Sequence, residues 1–436
     1  MMTQQESQGE KFRQMLESFY QATHQDDMLS KVRTNAWNHF LDLGLPTKRN
    51  EVFQYIRLRQ LFSKEYTLPS HVDISYDQIR NHVLEECQQS YLVIVNGHYR
   101  EDLSCRDGVP SKVVVTDLKK ASRTYSAFLN NHWNRTVKEE TDPFAAVNTA
   151  LHKDSLFLYI PPNTQVDVPL QVIHLVDTPE SHAFLTPRLQ VFAGRGSEVN
   201  IYCTNVCARG DQYHVNQLAD FSVDENARVT YTQSALDQCE SSWYFDAIRA
   251  SLKRDSYFKA VNLNDGATTY RQDYRVSLLQ ENAEAELDGV WMLHGKRESH
   301  VNVLIDHQAP NCRSRQMFKG VLRDFSRSSF EGKILVRQAA QQTDAFQLNN
   351  NLLLSERSHA DSKPNLEIFA DDVKASHGAT VGRLDEEQLF YMKSRGFSDI
   401  EAKNMLIYGY CKEVIDRIDL PSLHNQLKLR AENYIA

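Results

Sequence analysis

The stretch from 284 to 291 is Glu-Ala-Glu-Leu-Asp-Gly-Val-Trp, with apolar or small residues at every second position from Ala285 to Trp291. The same alternation occurs at 198–203 and at 330–337. Successive side chains of a β-strand point to opposite faces, so alternation over five or more residues predicts strands with one buried face. We therefore predict that the chain from about Leu156 to Gly382 is built of strands.

Pairs of small or polar residues separate these strands at a regular interval. The first four pairs are spaced by 30, 29 and 27 residues: Gly196-Ser197, Asn226-Ala227, Asp255-Ser256 and Asn282-Ala283. The next pairs, Ser328-Ser329 and Ser358-His359, are again 30 residues apart but follow a gap of 46. An all-strand unit of about 30 residues predicts the stacked rungs of a β-solenoid. A large β-sandwich fits the pattern almost as well.

Helical patterns flank the strands on both sides. Near the N-terminus an apolar stripe over 12–20 has helical spacing, and Thr47 is a suitable N-cap for a helix over 48–61. At the other end, Asp385 and Ser398 begin two capped helices, of which the second carries apolar residues including Met405. These C-terminal helices fit two roles equally well, capping the strand array or docking a partner.

These patterns divide the chain into three regions. We predict a helical or mixed N-terminal region over 1–150, a strand core over 151–382 and a C-terminal helical region over 383–436.

Composition and charge exclude several classes of protein. The chain has 436 residues with 49 Lys and Arg against 57 Asp and Glu, and this net charge of −8 is unfavourable for binding nucleic acid. No apolar run of about 18 residues is present to span a membrane. The first residues lack the basic flank and apolar stretch of a signal peptide, and the seven cysteines contain no Cys-x-x-Cys pair. We expect a soluble, cytoplasmic protein with reduced thiols.

The sequence contains no complete catalytic motif. Gly289–Arg297 has two glycines before a lysine, but their spacing is one residue too long for a phosphate-binding loop, and Arg297 replaces the Ser or Thr that would hold magnesium. Asp371 and Asp372 are neighbours whose side chains would point to opposite faces of a strand, so a rung end is the simpler interpretation. His377 lies where the strands end, and an imidazole there has either a structural role or a role in binding iron.

The segment around His377 resembles the signature of the SufB/SufD family, scaffold components of the SUF iron–sulfur cluster assembly system. The residues that carry the resemblance are Phe318–Leu322, Phe330–Ile334, Gln347–Ser355, Lys363–Gly382 and Leu389–Gly396. Two segments are similar to the SufD type of member: Gly44–Glu51, and Ser376–Gly382, where SufB proteins differ. The match is dense from Gln316 to Ile418 and thinner before it.

The resemblance implies a mainly β fold, a right-handed parallel β-helix flanked by N-terminal and C-terminal helical regions. It also implies a non-catalytic scaffold subunit that pairs with SufB and docks the ATPase SufC, which is present in two copies. A transient iron–sulfur cluster would be assembled at the SufB–SufD interface. Docking of SufC on the C-terminal helices assigns partner binding to Leu389, Phe390, Tyr391, Arg395 and Gly396.

The resemblance assigns His377 to cluster assembly or ligation. Many SufD proteins carry a cysteine two residues earlier, where this chain has Ala375. Because a thiolate is the better iron ligand, most of the ligation would come from SufB. We expect this chain alone to hold no stable cluster.

Two alternative functions and the oligomeric state of the isolated chain stay open from the sequence. A β-helical carbohydrate-active enzyme would need converging carboxylates in an open groove. A purely structural partner would position SufB and SufC without binding iron. The isolated chain could also form a homodimer through an exposed edge of the β-helix.

Overall fold

The computed structural model describes residues 4–24, 27–153, 155–180 and 182–435. Strands dominate the middle of this part of the chain. They are β1 (Tyr91–Val95), β2 (His98–Cys105), β3 (Val114–Asp117), β4 (Leu156–Ile160), β5 (Leu170–Asp177), β6 (Phe184–Leu185), β7 (Arg188–Ala193), β8 (Glu198–Arg209), β9 (His214–Val223), β10 (Arg228–Ala235), β11 (Trp243–Leu252), β12 (Tyr257–Asn264), β13 (Thr269–Leu278), β14 (Glu284–Leu293), β15 (Glu298–His307), β16 (Arg313–Leu322), β17 (Arg327–Val336), β18 (Thr343–Leu353), β19 (His359–Ile368) and β20 (Val373–Gly382).

The strands form two long sheets that enclose a common core. The first sheet has the order β2-β1-β5-β8-β10-β12-β14-β16-β18-β20, and the second has the order β3-β4-β7-β9-β11-β13-β15-β17-β19, with β6 also beside β9. From β7 onward the chain passes to the other sheet after each strand, and neighbouring strands are parallel. Two consecutive strands therefore make one rung. The predicted parallel β-helix is confirmed, and the β-sandwich alternative is wrong.

Residues with positive φ lie in the turns between strands, and their recurrence along the chain shows the length of a rung. Along one edge of the solenoid they recur at Gly196, Asn226, Asp255, Asn282, Asn311 and Gln342. Asn311 lies inside the gap of 46 residues, so the rung length of about 30 residues is kept there.

The turn predicted at Ser328-Ser329 is wrong, because both serines lie within β17. The turn before this strand contains Asp324, whose φ is 60°. The Ser328 hydroxyl donates to Oδ1 of Asn351 at 3.3 Å in the buried interior. Ser329 faces the other side of the strand, where its hydroxyl lies 2.8 Å from Nδ1 of His300. Both serines are thus strand residues and do not mark a turn.

The space between the sheets holds the main apolar core. In β14 the alternate residues Ala285, Leu287 and Trp291 point inward and are almost fully buried, which confirms the alternation that predicted the fold. The interior is not uniformly apolar, since Asp246 and Gln347 are fully buried there as well.

The N-terminal helices cover the outer faces of the sheets: the helix over 76–80 packs against β1 and β5 of the first sheet, and the others cover the second sheet. They are α1 (Gln4–Thr23), α2 (Ser30–Leu43), α3 (Leu58–Phe62), α4 (Tyr76–Arg80), α5 (Leu118–Thr124), α6 (Ser126–Glu139) and α7 (Pro143–Leu151). Ion pairs join the two layers: Nη1 of Arg271 lies 2.6 Å from Oδ2 of Asp142, and Nε of Arg249 lies 2.8 Å from Oε2 of Glu140. No helix in the described ranges is both long and apolar enough to cross a membrane.

The helix predicted over 48–61 is interrupted. The structure has a 3₁₀ turn at Glu51–Phe53, and α3 begins only at Leu58. Oδ1 of Asn50 accepts hydrogen bonds from the backbone N–H of Thr47 at 2.8 Å and from its hydroxyl at 3.1 Å. This local turn gives the backbone an alternative to the first turn of a helix.

The C-terminal helices are α8 (Glu386–Ser394), α9 (Asp399–Ile415) and α10 (Pro421–Glu432). Asp385 and Ser398 cap α8 and α9, as predicted. α9 and α10 pack on the outer face of the first sheet, in one apolar cluster with Val290 and Val321. They therefore cover a side of the solenoid and not its end. Met405 is exposed on α9, so not all of the apolar residues of this helix are buried.

Candidate functional site

His377 lies on the last rung of the solenoid, which consists of β19 and β20. Within the described part of the chain, β20 pairs only with β18 and β19 pairs only with β17. Each sheet therefore ends in a strand with an unpaired edge. His377 is exposed, and the apolar residues Phe369 and Val381 of the same end are 63% and 47% exposed.

The register of the strands puts His377 at the open end of the interior. His377 is the partner of Gln347 in β18, and Gln347 is the partner of Gln316 in β16. Both glutamines are at least 99% buried between the sheets. Gln316, Gln347 and His377 thus form a column of aligned inward positions, of which His377 is the last. Ala375 stands on the same face of β20, because it precedes His377 by two residues.

A buried polar layer lies directly beneath the last rung. Nε2 of Gln347 donates to Oε1 of Gln316 at 3.0 Å. Nδ2 of Asn349 donates to the backbone oxygen of Phe318 at 3.2 Å, and Nδ2 of Asn351 donates to Oδ1 of Asn349 at 2.8 Å. These amides were not predicted as part of the site, because their inward positions depend on the register of the first sheet. The signal in the sequence is the separation of Gln316 and Gln347 by 31 residues, about one rung.

On β20 the imidazole of His377 is the one His, Cys, Asp or Glu side chain, and Ala375 offers no ligand. Among the described residues, no three His, Cys, Asp or Glu side chains are grouped so that they could hold a metal ion. Buried thiols elsewhere are poor ligands, because burial raises the pKa of Cys203 to about 12 and that of Cys312 to about 11 and keeps them protonated.

Two other sequence features have structural roles. Asp371 and Asp372 lie in the turn between β19 and β20, where the backbone oxygen of Asp372 accepts from the N–H of Gln342 at 2.6 Å. This is the rung end that the sequence predicted. Gly289 lies inside β14 and Gly295 in the following turn, so the glycine-containing stretch is strand and turn, as predicted.

α8, which follows the last rung, has no buried residue. Phe390 is 75% exposed and Tyr391 is 58% exposed, while Leu389 is half-buried. The guanidinium of Arg395 lies 5.1 Å from the centre of the Tyr391 ring, and Gly396 adopts a φ of 97° that ends the helix. The five residues predicted to bind a partner therefore lie together on or just after α8.

Further apolar side chains are exposed beyond α8. They are Phe397, Ile400 and Met405. They were not predicted to bind a partner, because apolar residues in a helical pattern are usually buried.

Two family models match the chain over most of its length. The model described as "SufBD protein N-terminal region" matches residues 4–172. The model described as "SUF system FeS cluster assembly, SufBD core domain" matches residues 174–410, which include His377.

Curated relatives match over nearly the whole chain as well. An iron–sulfur cluster assembly SufBD family protein of Synechocystis is 30% identical over 93% of this chain and 90% of its own length. The iron–sulfur cluster assembly proteins SufD of Escherichia coli and Bacillus subtilis are each 26% identical, over 89% and 94% of this chain and 89% and 95% of their own lengths. The chain therefore belongs to the SufB/SufD family of the SUF iron–sulfur cluster assembly system.

Proposed function

We propose that this chain is a non-catalytic scaffold subunit that pairs with a SufB-like scaffold and docks a SufC-like ATPase. The observation that carries the proposal is the last rung, where two strands have unpaired edges and one of them, β20, carries the exposed His377. A transient iron–sulfur cluster is assembled at the interface of the two scaffolds in this proposal. Iron and sulfide are the cargo of that assembly.

The unpaired edges support pairing with a second β-helix. An edge strand presents backbone N–H and C=O groups that a partner strand can bind, which extends the sheet across the interface. Exposed Phe369 and Val381 would be buried by the same contact. A homodimer of the isolated chain would use these edges too, and the SufB-like partner would then compete with it.

The ligand chemistry of the last rung supports shared ligation of the cluster. His377 contributes one nitrogen donor, and the thiolate ligands come from the SufB-like partner because position 375 is alanine. In this proposal both chains contribute ligands to the cluster, and neither chain provides enough ligands alone.

α8 supports the docking of an ATPase. Its aromatic residues Phe390 and Tyr391 are exposed and rigid, as in many protein interfaces. The ATPase activity belongs to the SufC-like partner, which is present in two copies per complex.

The test of the complex is native mass spectrometry of this chain co-expressed with SufB-like and SufC-like proteins from the same source. We expect one copy of this chain, one SufB-like chain and two SufC-like chains. If the SufB-like and SufC-like proteins assemble without it, the scaffold proposal is wrong.

The test of the ligand is cluster formation by the intact complex carrying His377→Ala. We expect the rate to fall about tenfold or more, as is usual when a metal site is disturbed. His359→Ala is the matched control, because His359 is also exposed on the last rung but belongs to β19. Unchanged cluster formation in the His377→Ala complex would favour the purely structural partner.

A further inference from the structure

The column that ends at His377 contains a hydrogen-bond acceptor without a donor. In the described part of the chain, Oε1 of Gln347 is buried and has no hydrogen-bond partner, although Nε2 of the same amide donates to Gln316 at 3.0 Å. Gln347 itself is completely buried. An unsatisfied buried acceptor costs about 1–3 kcal/mol, so its presence calls for a physical reason.

The direction of the amide column indicates where the missing donor should come from. Each strand of a parallel sheet lies about 4.8 Å from the next, and in the one amide pair of this column Gln347 donates to the oxygen of Gln316 in the preceding rung. The next member after Gln347 is His377. Its ring carries N–H donors, and it makes no hydrogen bond or ion pair to any of the described residues.

The opposite wall of the solenoid leaves space for the Gln347 side chain. A Cβ added at Gly332 of β17 would lie 1.7 Å from Nε2 of Gln347. The absence of a side chain at 332 is therefore what admits the long amide between the sheets. Gly332 and Gln347 face each other across the interior, and the space left by Gly332 allows the Gln347 side chain to lie beneath the last rung.

We propose that Gln347 is a positioning residue for His377: its Oε1 accepts a hydrogen bond from one ring N–H of His377. The bond fixes the tautomer of the imidazole, so that the other ring nitrogen keeps its lone pair for a metal. Metal-binding histidines commonly donate their second N–H to a carbonyl or carboxylate oxygen in this way. The role of this contact in binding iron rests on the function proposed above, whereas the hydrogen bond itself does not.

The test compares two variants that break the same glutamine–glutamine hydrogen bond. Gln347→Met keeps an unbranched side chain in the slot beside Gly332 but removes the acceptor beneath His377. Gln316→Met removes the other partner and leaves Oε1 of Gln347 in place. Loss of stability through the broken amide pair is thus common to both variants, and loss of the acceptor is confined to Gln347→Met.

The readout is the pair of ring ¹⁵N chemical shifts of His377 in the full chain, labelled with ¹⁵N-histidine and assigned by the loss of its signals in His377→Ala. At pH 8 an ordinary imidazole is neutral, and a fixed tautomer gives two well-separated shifts. We expect this separation in the wild-type protein and in Gln316→Met, and its partial collapse towards a common value in Gln347→Met. The same shifts in wild type and Gln347→Met would overturn the proposal.

A second measurement separates this inference from the proposed function. Cluster formation by the complex should fall in Gln347→Met and not in Gln316→Met if the tautomer matters for iron. If Gln347→Met changes the ring shifts while His377→Ala leaves cluster formation unchanged, the hydrogen bond is supported and the ligand role of His377 is wrong. If His377→Ala abolishes cluster formation and Gln347→Met changes neither readout, the ligand role is supported and the positioning role is overturned.

Discussion

Asp246 is a buried carboxyl group in the middle of the solenoid. It lies on the inward face of β11 between Gln217 and Gln272 of the neighbouring strands. Neither of its oxygens has a hydrogen-bond partner among the described residues. Burial raises the pKa of Asp246 to about 7, so the folded protein holds this side chain in its neutral form at pH values where an unfolded chain would have lost the proton.

This carboxyl group predicts a loss of stability with rising pH. Its contribution is fully present below about pH 4 and is lost as the pH rises to about 7, because the unfolded state then binds fewer protons than the folded state. We expect Asp246→Asn to raise the free energy of unfolding by about 2–3 kcal/mol more at pH 8 than at pH 5. Urea unfolding at the two pH values measures this difference.

Asp344→Asn is the control for that experiment. Its hydrogen bonds with Arg315 lower the pKa of Asp344, so the wild-type side chain is ionised at both pH values and its replacement should have the same effect at each. A pH-independent difference for Asp246→Asn would show that its carboxyl group is not neutral in the folded protein.

Gly332 and Gly409 predict opposite effects of the same substitution. Gly332→Ala would place a methyl group against Gln347 in the closed interior, and we expect a loss of about 1–3 kcal/mol of stability from overpacking. Gly409 lies within α9 with no atom within 4 Å of an added Cβ, so Gly409→Ala should add about 0.5–1 kcal/mol. Unfolding midpoints measure both effects. Equal stability of Gly332→Ala and wild type would mean that the Gln347 side chain can adopt another conformation that avoids the added methyl group.

At the scale of the elements, the sequence predicted the strands of the solenoid and the caps of the C-terminal helices well because each depends on a local pattern. The inward positions of β14 and the capping box from Ser398 to Glu401 are examples. The turn at Asn311 was missed, because Asn311-Cys312 was not recognised as a pair similar to Asn226-Ala227 and Asn282-Ala283. The interruption of the helix over 48–61 was missed because a side-chain contact between Thr47 and Asn50 decides it.

The candidate site was predicted in part for the same reason. His377 and the five residues at α8 were named from a resemblance, which retains residue identities but not their contacts. Gln347 was not identified as part of the site, because its position beneath His377 depends on strand register and on the space at Gly332. Such relationships between residues about 30 positions apart are tertiary, and no local pattern contains them.

α8 predicts a surface that affects binding without affecting folding. Phe390 is 75% exposed and α8 has no buried residue, so Phe390→Ala should leave the unfolding midpoint unchanged. We expect it to weaken binding of the SufC-like ATPase by about tenfold or more, as for an aromatic residue central to an interface. Leu429→Ala on α10 is the control, because Leu429 is 60% exposed on another helix. Equal affinities of the two variants, measured by titration calorimetry, would place the docking surface elsewhere.

At the scale of the whole molecule, the two ends of the solenoid differ in the residues at and beside their unpaired strands. The first sheet begins with β2, which carries charged residues and an ion pair of 2.6 Å between Arg100 and Asp102. Charged side chains protect an edge strand from pairing with another chain. The last rung also has charged residues and Pro364 in β19, but it exposes Phe369 and Val381 beside its edges.

The sides of the solenoid are covered along much of their length. The N-terminal region extends over the second sheet as far as β19, where Glu51 forms an ion pair with Lys363. α9 and α10 cover the first sheet, and Lys319 of β16 donates to Glu413 of α9 at 2.8 Å. Because the sides are covered and the first edge is charged, the last rung is the surface on which a second β-helix would extend the sheets under the function proposed above.

This asymmetry predicts that a single charge at the last rung prevents assembly. We expect Phe369→Lys to reduce pairing with the SufB-like scaffold by about 30-fold or more, since an unpaired charge would be buried in the contact. Any homodimer of the isolated chain should be lost in the same variant.

Leu429→Lys is the matched control, because it places the same charge at a similarly exposed apolar residue on α10. Sedimentation velocity of each variant, alone and mixed with the SufB-like chain, measures both associations. Pairing that survives Phe369→Lys but is lost in Leu429→Lys would place the interface on the side of the solenoid, where α9 and α10 would have to move to expose the first sheet.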